Sequence, residues 1–244
     1  MPQAGTRPGI IIEAHRGNSS CAPENTLAAF RQAVALGARW IELDTHLTRD
    51  GFPVVIHDGK LERTTTGKGA VKDLTADEVR RADAGRWFGA EFASERVPLL
   101  TEVLELVQGT ATRLNIEIKG EFPAPGMPAR IVETVRPFPQ HMVSSFSLPI
   151  LLAFRGLDPA RTLALIGHGP VILAQAKEHG LPWIHAFYRS TNLDVVAGAH
   201  TAGIRVNVWT LDDPGLFAHY RRLGVDKICS NRPARLMAAA EAVA

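Results

Sequence analysis

The chain has 244 residues, of which 45% are hydrophobic and 21% are charged, and its formal net charge is +2. This composition is typical of a globular protein and excludes a largely disordered chain. The balanced charge gives no indication of nucleic acid binding. No apolar stretch reaches the length of a membrane span, and the N-terminus lacks the pattern of a signal peptide. We therefore expect a cytoplasmic protein without a membrane span or a nucleic acid partner.

The two cysteines, Cys21 and Cys229, lack the spacing of metal ligands. In a reducing compartment we expect them to stay unpaired, with a disulfide between them as the alternative. Cys21 is expected to be a small buried residue without a chemical role.

Strand-like and helix-like segments alternate along the whole chain. The strand candidates are mostly continuous apolar runs, which are typical of parallel strands covered on both faces: 9–17, 40–48, 52–58, 113–120, 141–147, 162–168, 182–188, 204–210 and 226–230. Amphipathic segments that predict helices lie between most of them: 25–36, 129–135, 171–179, 193–202 and 214–223. A glycine ends four of these helices, at Gly37, Gly180, Gly203 and Gly224. This alternation predicts an α/β fold with a parallel sheet.

The length and the motifs favour a closed barrel. A (β/α)8 barrel needs about 250 residues, and no glycine-rich nucleotide fingerprint follows the first strand. We predict a single TIM-barrel domain over residues 1–244. Nine strand candidates are one more than the barrel needs. The turn at 49–51 is too short for a crossover helix, so the segments 40–48 and 52–58 are predicted to form a hairpin that brings His57 near Asp44.

The region from about 59 to 97 breaks the alternation of strands and helices. It is polar and rich in glycine and threonine, and Thr75 with Glu78 forms a capping-box pattern before a short helix. We interpret it as an insertion in the barrel that borders the functional site. The alternative is a solvated loop without a functional role.

Polar residues collect at the ends of the strands, where the active sites of such barrels lie. Alternation along 40–48 places Glu42 and Asp44 on one face of their strand. The other candidates are His15, Arg16, His57, Glu117 and Lys119. Three carboxylates with few soft ligands predict a site for one hard divalent cation, Mg²⁺ or Ca²⁺.

The remaining groups fit the cleavage of a phosphodiester. Arg16 and Lys119 are suited to bind a phosphate, and His15 and His57 are suited to be general acid and base. A histidine at a strand end is nevertheless more often structural than catalytic, and the carboxylates could simply pair with arginine or lysine. His46 is interpreted as structural, and His185 is expected to face the pocket. The combination of all these groups at one end of a barrel favours the functional interpretation.

Six segments together resemble the bacterial glycerophosphodiester phosphodiesterases: AHRGNSSCAPENT, IELDTHLTRDGFPVVIHD, LERTTTGKGAVKDLT, VPLLTEVLELV, LNIEIKG and VNVWT. The resemblance implies a TIM barrel with an insertion after the His-Asp element. It implies a metal held by Glu42, Asp44 and Glu117, acid and base roles for His15 and His57, and phosphate contacts from Arg16 and Lys119. It also implies that Glu24 and Asn25 brace the first loop. The alternative for Asn25 is that it caps the following helix.

The reaction implied by this resemblance is metal-dependent hydrolysis of a glycerophosphodiester to sn-glycerol 3-phosphate and an alcohol. The nucleophile is either water or the neighbouring glycerol hydroxyl, and the proximity of that hydroxyl favours the second. Trp209, Phe146 and Phe187 are candidates for recognition of the alcohol, or they are part of the barrel packing. The alcohol, the preferred metal and the oligomeric state are left open.

One feature departs from the family pattern. The last strand usually ends Thr-Asp before a proline, whereas here it ends Ser230-Asn231. An amide thus replaces a carboxylate near the rim, with an expected effect on metal affinity or substrate choice. Two alternatives to the phosphodiesterase remain: a related barrel phospholipase (a lysophospholipase D or a sphingomyelinase-D-like enzyme), and a non-catalytic binder of phosphate esters.

Overall fold

The computed structural model describes residues 9–120 and 126–242. The strands in these ranges are β1 (Ile11–His15), β2 (Trp40–Leu47), β3 (Pro53–Val55), β4 (Arg113–Ile118), β5 (Met142–Ser145), β6 (Leu163–Gly167), β7 (Trp183–Phe187), β8 (Arg205–Trp209) and β9 (Lys227–Ser230). Parallel pairing follows the order β1-β9-β8-β7-β6-β5-β4-β2, and β1 also pairs with β2, which closes the sheet. The predicted (β/α)8 TIM barrel is confirmed, and every predicted strand segment contains a strand.

The additional strand, β3, lies outside the parallel barrel. It pairs with β2 in antiparallel register, with Thr45 opposite Val55. Beyond β3, the Ile56 N–H donates to the Asp44 carbonyl at 3.0 Å. The predicted hairpin is therefore confirmed, and it brings the chain at His57 back over β2.

The helices on the outside of the barrel and in the loops are α1 (Leu27–Ala35), α2 (Ala76–Arg81), α3 (Leu100–Val107), α4 (Met127–Val135), α5 (Leu148–Leu157), α6 (Gly169–His179), α7 (Leu193–Thr201), α8 (Phe217–Leu223) and α9 (Pro233–Glu241). The first helix begins two residues later than predicted, because Thr26 is its N-cap and its side chain accepts from the Ala29 N–H. The alternative that Asn25 caps this helix is wrong. None of the helices in the two described ranges is long and apolar enough to span a membrane.

The segment between β3 and α3 packs around a small apolar cluster of its own. Its members come from β3, α2 and the intervening turns: Val54, Ile56, Leu61, Val71, Val79, Ala82, Ala84 and Val97. The predicted capping box is confirmed, with reciprocal hydrogen bonds between Thr75 and Glu78. The assignment of the whole chain to one domain stays a prediction. Both cysteines are free, and Cys21 is exposed rather than buried, which corrects the sequence expectation.

A buried ion pair crosses the interior of the barrel below the polar strand ends. Lys227 on β9 and Glu13 on β1 are 1% and 0% exposed, and Lys227 Nζ donates to Glu13 Oε1. The same ammonium group lies 4.4 Å from the ring centroid of Trp40 and 5.3 Å from that of Trp183. These rings add cation–π attraction to a charge that has lost its hydration.

Glu13→Gln is expected to lower the free energy of unfolding by about 3–5 kcal/mol, because it leaves the Lys227 charge buried without its counter-ion. Chemical denaturation would measure this loss. The matched control is the double variant Glu13→Gln/Lys227→Met, which buries no charge and is expected to recover much of the stability. A single variant that unfolds at the wild-type denaturant concentration would show that the pair does not stabilise the barrel.

Candidate active site

Three buried carboxylates meet at the C-terminal ends of two neighbouring strands. Glu42 and Asp44 share the inward face of β2, and the parallel register places Glu117 of β4 beside Asp44. The three residues are 5%, 1% and 7% exposed, and one oxygen from each lies within 4.8 Å of the others. Like charges at such distances in a buried setting repel strongly unless a cation compensates them.

The protein compensates these charges only in part. Burial alone would raise the pKa of Asp44, but the charges of Arg16 and Lys119 lower it to about 2. Burial and the neighbouring Asp44 raise the pKa of Glu117 to about 7, and the same two causes raise the pKa of Glu42 well above its usual value. At neutral pH the cluster therefore lacks the positive charge needed to ionise all three carboxylates.

The donor set fits one divalent cation. All three ligands are hard carboxylate oxygens, the type that Mg²⁺ and Ca²⁺ prefer. Asp44 Oδ1 is buried and has no hydrogen-bond partner, although Lys119 Nζ lies 3.3 Å from it. A bound cation would also allow Glu42 and Glu117 to ionise. The electrostatics and the ligand chemistry therefore both favour a divalent cation at this cluster.

Arg16 and Lys119 flank the carboxylates. Arg16 follows β1 at φ +56°, an uncommon conformation for a non-glycine residue that is often found at functional sites. Its Nε lies 3.1 Å from Asp44 Oδ2, and Nη1 donates to Glu24 Oε1 at 2.8 Å. Lys119 Nζ lies 2.8 Å from Glu117 Oε1. Both cations line the same cavity, where an anion could bind them.

His15 lies at the end of β1 beside Glu42. Its Nε2 lies 3.8 Å from Glu42 Oε2, and its Nδ1 lies 2.6 Å from Asn231 Oδ1. Burial, and after it the charge of Arg16, lowers the pKa of His15 below its usual value. A neutral imidazole that is held through one nitrogen can accept a proton at the other.

His57 reaches the same cavity from the segment after β3. Its Nδ1 lies 2.6 Å from Asp58 Oδ1, and Arg63 Nε donates to Asp58 Oδ2 at 2.7 Å. Burial lowers the pKa of His57, although Asp44 and Asp58 oppose the shift. His46 Nε2 lies 3.0 Å from the His57 carbonyl oxygen, so this side chain supports the loop, as its structural interpretation predicted.

Glu24 and Asn25 connect the first loop to the site. Glu24 accepts hydrogen bonds from both Arg16 and Arg63, with Arg63 Nη2 at 2.8 Å from Glu24 Oε1. Asn25 Nδ2 donates to Asp44 Oδ2 at 2.8 Å. Arg63 lies in the insertion and was not predicted as a site residue. Its position in the segment LERTTTGKGAVKDLT, which carries part of the family resemblance, could have indicated it.

The mouth of the cavity is aromatic. Phe146 is 52% exposed, and its ring lies edge-on to that of Trp209 with centroids 5.4 Å apart. Both residues line the cavity, whereas Phe187 is not among its lining residues. Phe187 instead packs against Trp209 with centroids 5.6 Å apart and against His168. Of the three predicted pocket aromatics, two therefore face the cavity and the third supports one of them.

The floor of the cavity is polar and carries unpaired hydrogen-bonding atoms. Asn115 Oδ1, Asn207 Oδ1 and His185 Nε2 are buried without partners. Burial and the charge of Lys227 lower the pKa of His185 well below its usual value, which keeps its ring neutral. Asn115 Nδ2 lies 3.4 Å from His185 Nδ1. The floor thus offers three unpaired polar atoms to a hydroxyl group or a water molecule, which can donate and accept hydrogen bonds.

The rim at Asn231 still carries a negative charge. Asp212, in the segment after β8, accepts a hydrogen bond from Asn231 Nδ2 at 2.7 Å. A carboxylate from the loop after β8 therefore lies beside the amide that ends β9. Sequence analysis did not identify Asp212, because nothing in its local pattern distinguishes it from a loop residue.

Comparisons with known proteins agree with this geometry. The model of the glycerophosphoryl diester phosphodiesterase family matches residues 15–235. The chain is 35% identical over 241 residues to the glycerophosphodiester phosphodiesterase of Caldanaerobacter subterraneus subsp. tengcongensis, covering 93% of this chain and 96% of the relative. It is also 35% identical over 232 residues to a putative glycerophosphodiester phosphodiesterase of Bacillus subtilis, covering 92% and 95%.

A solved structure of similar shape is that of an Oleispira antarctica phosphodiesterase in complex with the product sn-glycerol-3-phosphate. The two share 30% identity and a TM-score of 0.89, with 96% of this chain and 97% of that chain covered. The expectation that this protein is a phosphodiesterase enzyme is confirmed, and the chain belongs to the glycerophosphoryl diester phosphodiesterase family.

Proposed function

We propose that the protein hydrolyses glycerophosphodiesters to sn-glycerol 3-phosphate and an alcohol, with one divalent cation and two histidines. The observation that carries the proposal is the buried cluster of Glu42, Asp44 and Glu117, which shares a cavity with His15 and His57. The product bound to the Oleispira antarctica phosphodiesterase, a similar structure, supports the substrate class.

The three carboxylates would hold the cation, either Mg²⁺ or Ca²⁺. When bound, it would stabilise negative charge on the phosphoryl group as a Lewis acid. Arg16 and Lys119 bind the phosphate oxygens and offset the charge that builds on them, Arg16 through its planar fork and Lys119 as a point charge. Both side chains are held in place by carboxylates of the same cluster.

The two histidines exchange protons with the substrate through Nε2, since each Nδ1 is engaged by Asn231 or Asp58. One histidine takes the proton of the nucleophile. The other donates a proton to the alcohol as its bond to phosphorus breaks. We propose the neighbouring glycerol hydroxyl as nucleophile, which gives a cyclic phosphate that water then opens, because intramolecular attack has a large proximity advantage. Direct attack by water in line is the alternative and gives the same products.

The alcohol and the glycerol ends of the substrate would contact different parts of the cavity. We propose that the exposed ring of Phe146 and the neighbouring Trp209 contact the alcohol at the mouth. The floor of Asn115, His185 and Asn207 receives a glycerol hydroxyl, since a hydroxyl both donates and accepts hydrogen bonds.

His185→Phe is expected to lower kcat/KM for glycerophosphocholine about 10-fold, because it removes one of the hydrogen-bonding groups of the floor. Bis(p-nitrophenyl) phosphate, a diester without glycerol, is the matched substrate, and its kcat/KM is expected to change by less than about 2-fold. Steady-state kinetics on both substrates would measure the two ratios. An equal loss on both substrates would indicate that His185 acts through packing and not through glycerol recognition.

The stabilisation of the protein by Mg²⁺ or Ca²⁺ is expected to grow with pH between about 5 and 8. Glu117, whose pKa is raised to about 7, is protonated at the lower end of this window, and a cation must displace that proton. The same raised pKa contributes stability to the metal-free protein below the unfolded value of 4.5, and this contribution is lost as pH rises through 7. The stabilisation by a bound cation is therefore expected to be largest at the upper end of this pH range, where the carboxylates of the metal-free site repel each other most.

Thermal unfolding with each cation and with EDTA, at pH 5, 6, 7 and 8, would measure this dependence. Glu117→Gln is the control, because it removes both the titrating group and one ligand, and its cation-dependent shift is expected to be small at every pH. A wild-type shift of equal size at pH 5 and pH 8 would contradict the assignment of the cation to these carboxylates.

A substrate panel tests the choice between this function and its alternatives. Turnover of glycerophosphocholine is the expected result. Turnover of lysophosphatidylcholine or sphingomyelin without glycerophosphocholine would favour the related barrel phospholipase. Binding of glycerol 3-phosphate without turnover under any divalent cation would favour a non-catalytic binder. The cytoplasmic location stays a prediction.

A further inference from the structure

Asp212 binds the end of β9 through both of its carboxylate oxygens. Oδ1 accepts from the Asn231 backbone N–H at 2.8 Å and from Ser230 Oγ at 3.0 Å, and Oδ2 accepts from Asn231 Nδ2 at 2.7 Å. An ionised carboxylate can only accept hydrogen bonds. The side-chain amide of Asn231 is therefore oriented with its NH₂ group towards Asp212.

The amide oxygen of Asn231 consequently faces the imidazole of His15. Asn231 Oδ1 lies 2.6 Å from His15 Nδ1 and also accepts from Ser19 Oγ at 3.1 Å. Since an amide oxygen has no proton to give, His15 Nδ1 must be the donor. In the neutral ring the lone pair is then on Nε2, the nitrogen on the side of Glu42.

We propose that Asp212 is a positioning residue, which fixes His15 in the Nδ1–H tautomer through the side-chain amide of Asn231. The proposal rests on the proposed function, in which His15 exchanges a proton with the substrate through Nε2. This role of Asp212 explains how Asn231, an amide that could point either way, keeps its oxygen directed at His15 Nδ1. Asp212, from a different loop, supplies the carboxylate that the amide needs.

Asp212 is expected to affect catalysis because a side-chain amide has nearly the same shape when its oxygen and its NH₂ group exchange places. If the side-chain amide of Asn231 rotates by 180°, its NH₂ group faces His15 Nδ1. This nitrogen must then accept a hydrogen bond, so the ring proton must be on Nε2. That tautomer cannot accept a proton in the cavity. In serine proteases, the corresponding loss of the correct tautomer lowers kcat by about 10⁴-fold. Loss of Asp212 permits this rotation of the Asn231 amide but does not require it, so a smaller loss in kcat is expected.

Asp212→Asn is expected to lower kcat for glycerophosphocholine by about 10- to 100-fold, with little change in KM. The rescue variant is Asp212→Asn/Asn231→Asp, in which a carboxylate at 231 accepts from His15 Nδ1 and from the new amide at 212. It is expected to recover kcat to within about 3-fold of wild type. The matched control is Asp213→Asn at the next position, where the carboxylate is exposed and accepts from the Gly215 N–H at 2.8 Å. This control is expected to keep the wild-type kcat.

The ¹⁵N shifts of the His15 ring give a readout that a purely structural role would not move. The wild type is expected to show the Nδ1–H tautomer, and Asp212→Asn a mixture of both tautomers. An Nε2–H tautomer in the wild type would overturn the proposal, whether or not any variant folds. Wild-type kcat in a folded Asp212→Asn, or no recovery in a folded rescue variant, would overturn it too. Absence of turnover in the wild type would overturn the proposed function instead, and the tautomer would still test the positioning.

Discussion

Replacement of His57 by glutamine is expected to lower kcat for glycerophosphocholine by about 10²- to 10⁴-fold, the range for loss of a general acid or base. Glutamine keeps a polar side chain but cannot exchange a proton near neutral pH. Because Arg16 and Lys119 remain in place to bind the phosphate, KM is expected to change little. Steady-state kinetics at saturating divalent cation would measure both constants.

The matched control for this variant is His219→Gln, since His219 is exposed on α8 and stacks edge-on against Tyr220. It is expected to retain wild-type kinetics. If His57→Gln lost less than about 3-fold in kcat, His57 would be a structural residue of the loop, and the two-histidine mechanism would be wrong.

Asp44→Asn is expected to abolish the rise in melting temperature caused by Mg²⁺ or Ca²⁺ and to lower kcat/KM by more than about 10²-fold. Asn has nearly the same shape but only one oxygen and no charge. Asp44 is the carboxylate whose pKa is lowered to about 2 by the nearby Arg16 and Lys119. Its loss removes a ligand of the cation and also the counter-ion that holds both phosphate-binding side chains.

Thermal unfolding with and without cation, together with kinetics, separates these effects from misfolding. Asp194→Asn is the control, because Asp194 is exposed in the first turn of α7 and far from the carboxylates in the barrel order. A variant at Asp44 that kept the full cation-dependent rise in melting temperature would show that the cation binds elsewhere.

The barrel was predictable because its strands are short, almost continuous apolar runs that are separated by helical periodicity. The hairpin of β2 and β3 was predictable for a different reason, since residues 49–51 leave no room for a crossover helix. Helix starts were less certain. Asn25 and Thr26 are both good capping residues, and only the structure shows that Thr26 caps α1 while Asn25 Nδ2 reaches Asp44.

The inward face of the site was predictable where alternation along a strand applies, as for Glu42, Asp44 and Glu117. The residues that orient the histidines were not, because they lie in loops that only the closed barrel brings together. His15 and Asn231 are 216 positions apart, and Asp212 joins them from a third loop. Phe187 lies on β7 at the same alternation as His185, yet its ring packs against Trp209, with centroids 5.6 Å apart, and is not among the residues that line the cavity.

The metal-dependent hydrolysis is tested by release of sn-glycerol 3-phosphate from glycerophosphocholine and glycerophosphoethanolamine, measured with Mg²⁺, with Ca²⁺ and with EDTA. We expect release with at least one of the cations, none with EDTA, and release at least about 10²-fold slower with His15→Ala or His57→Ala. Release that persists in EDTA, or a folded wild-type protein that releases no glycerol 3-phosphate with either cation, would contradict it.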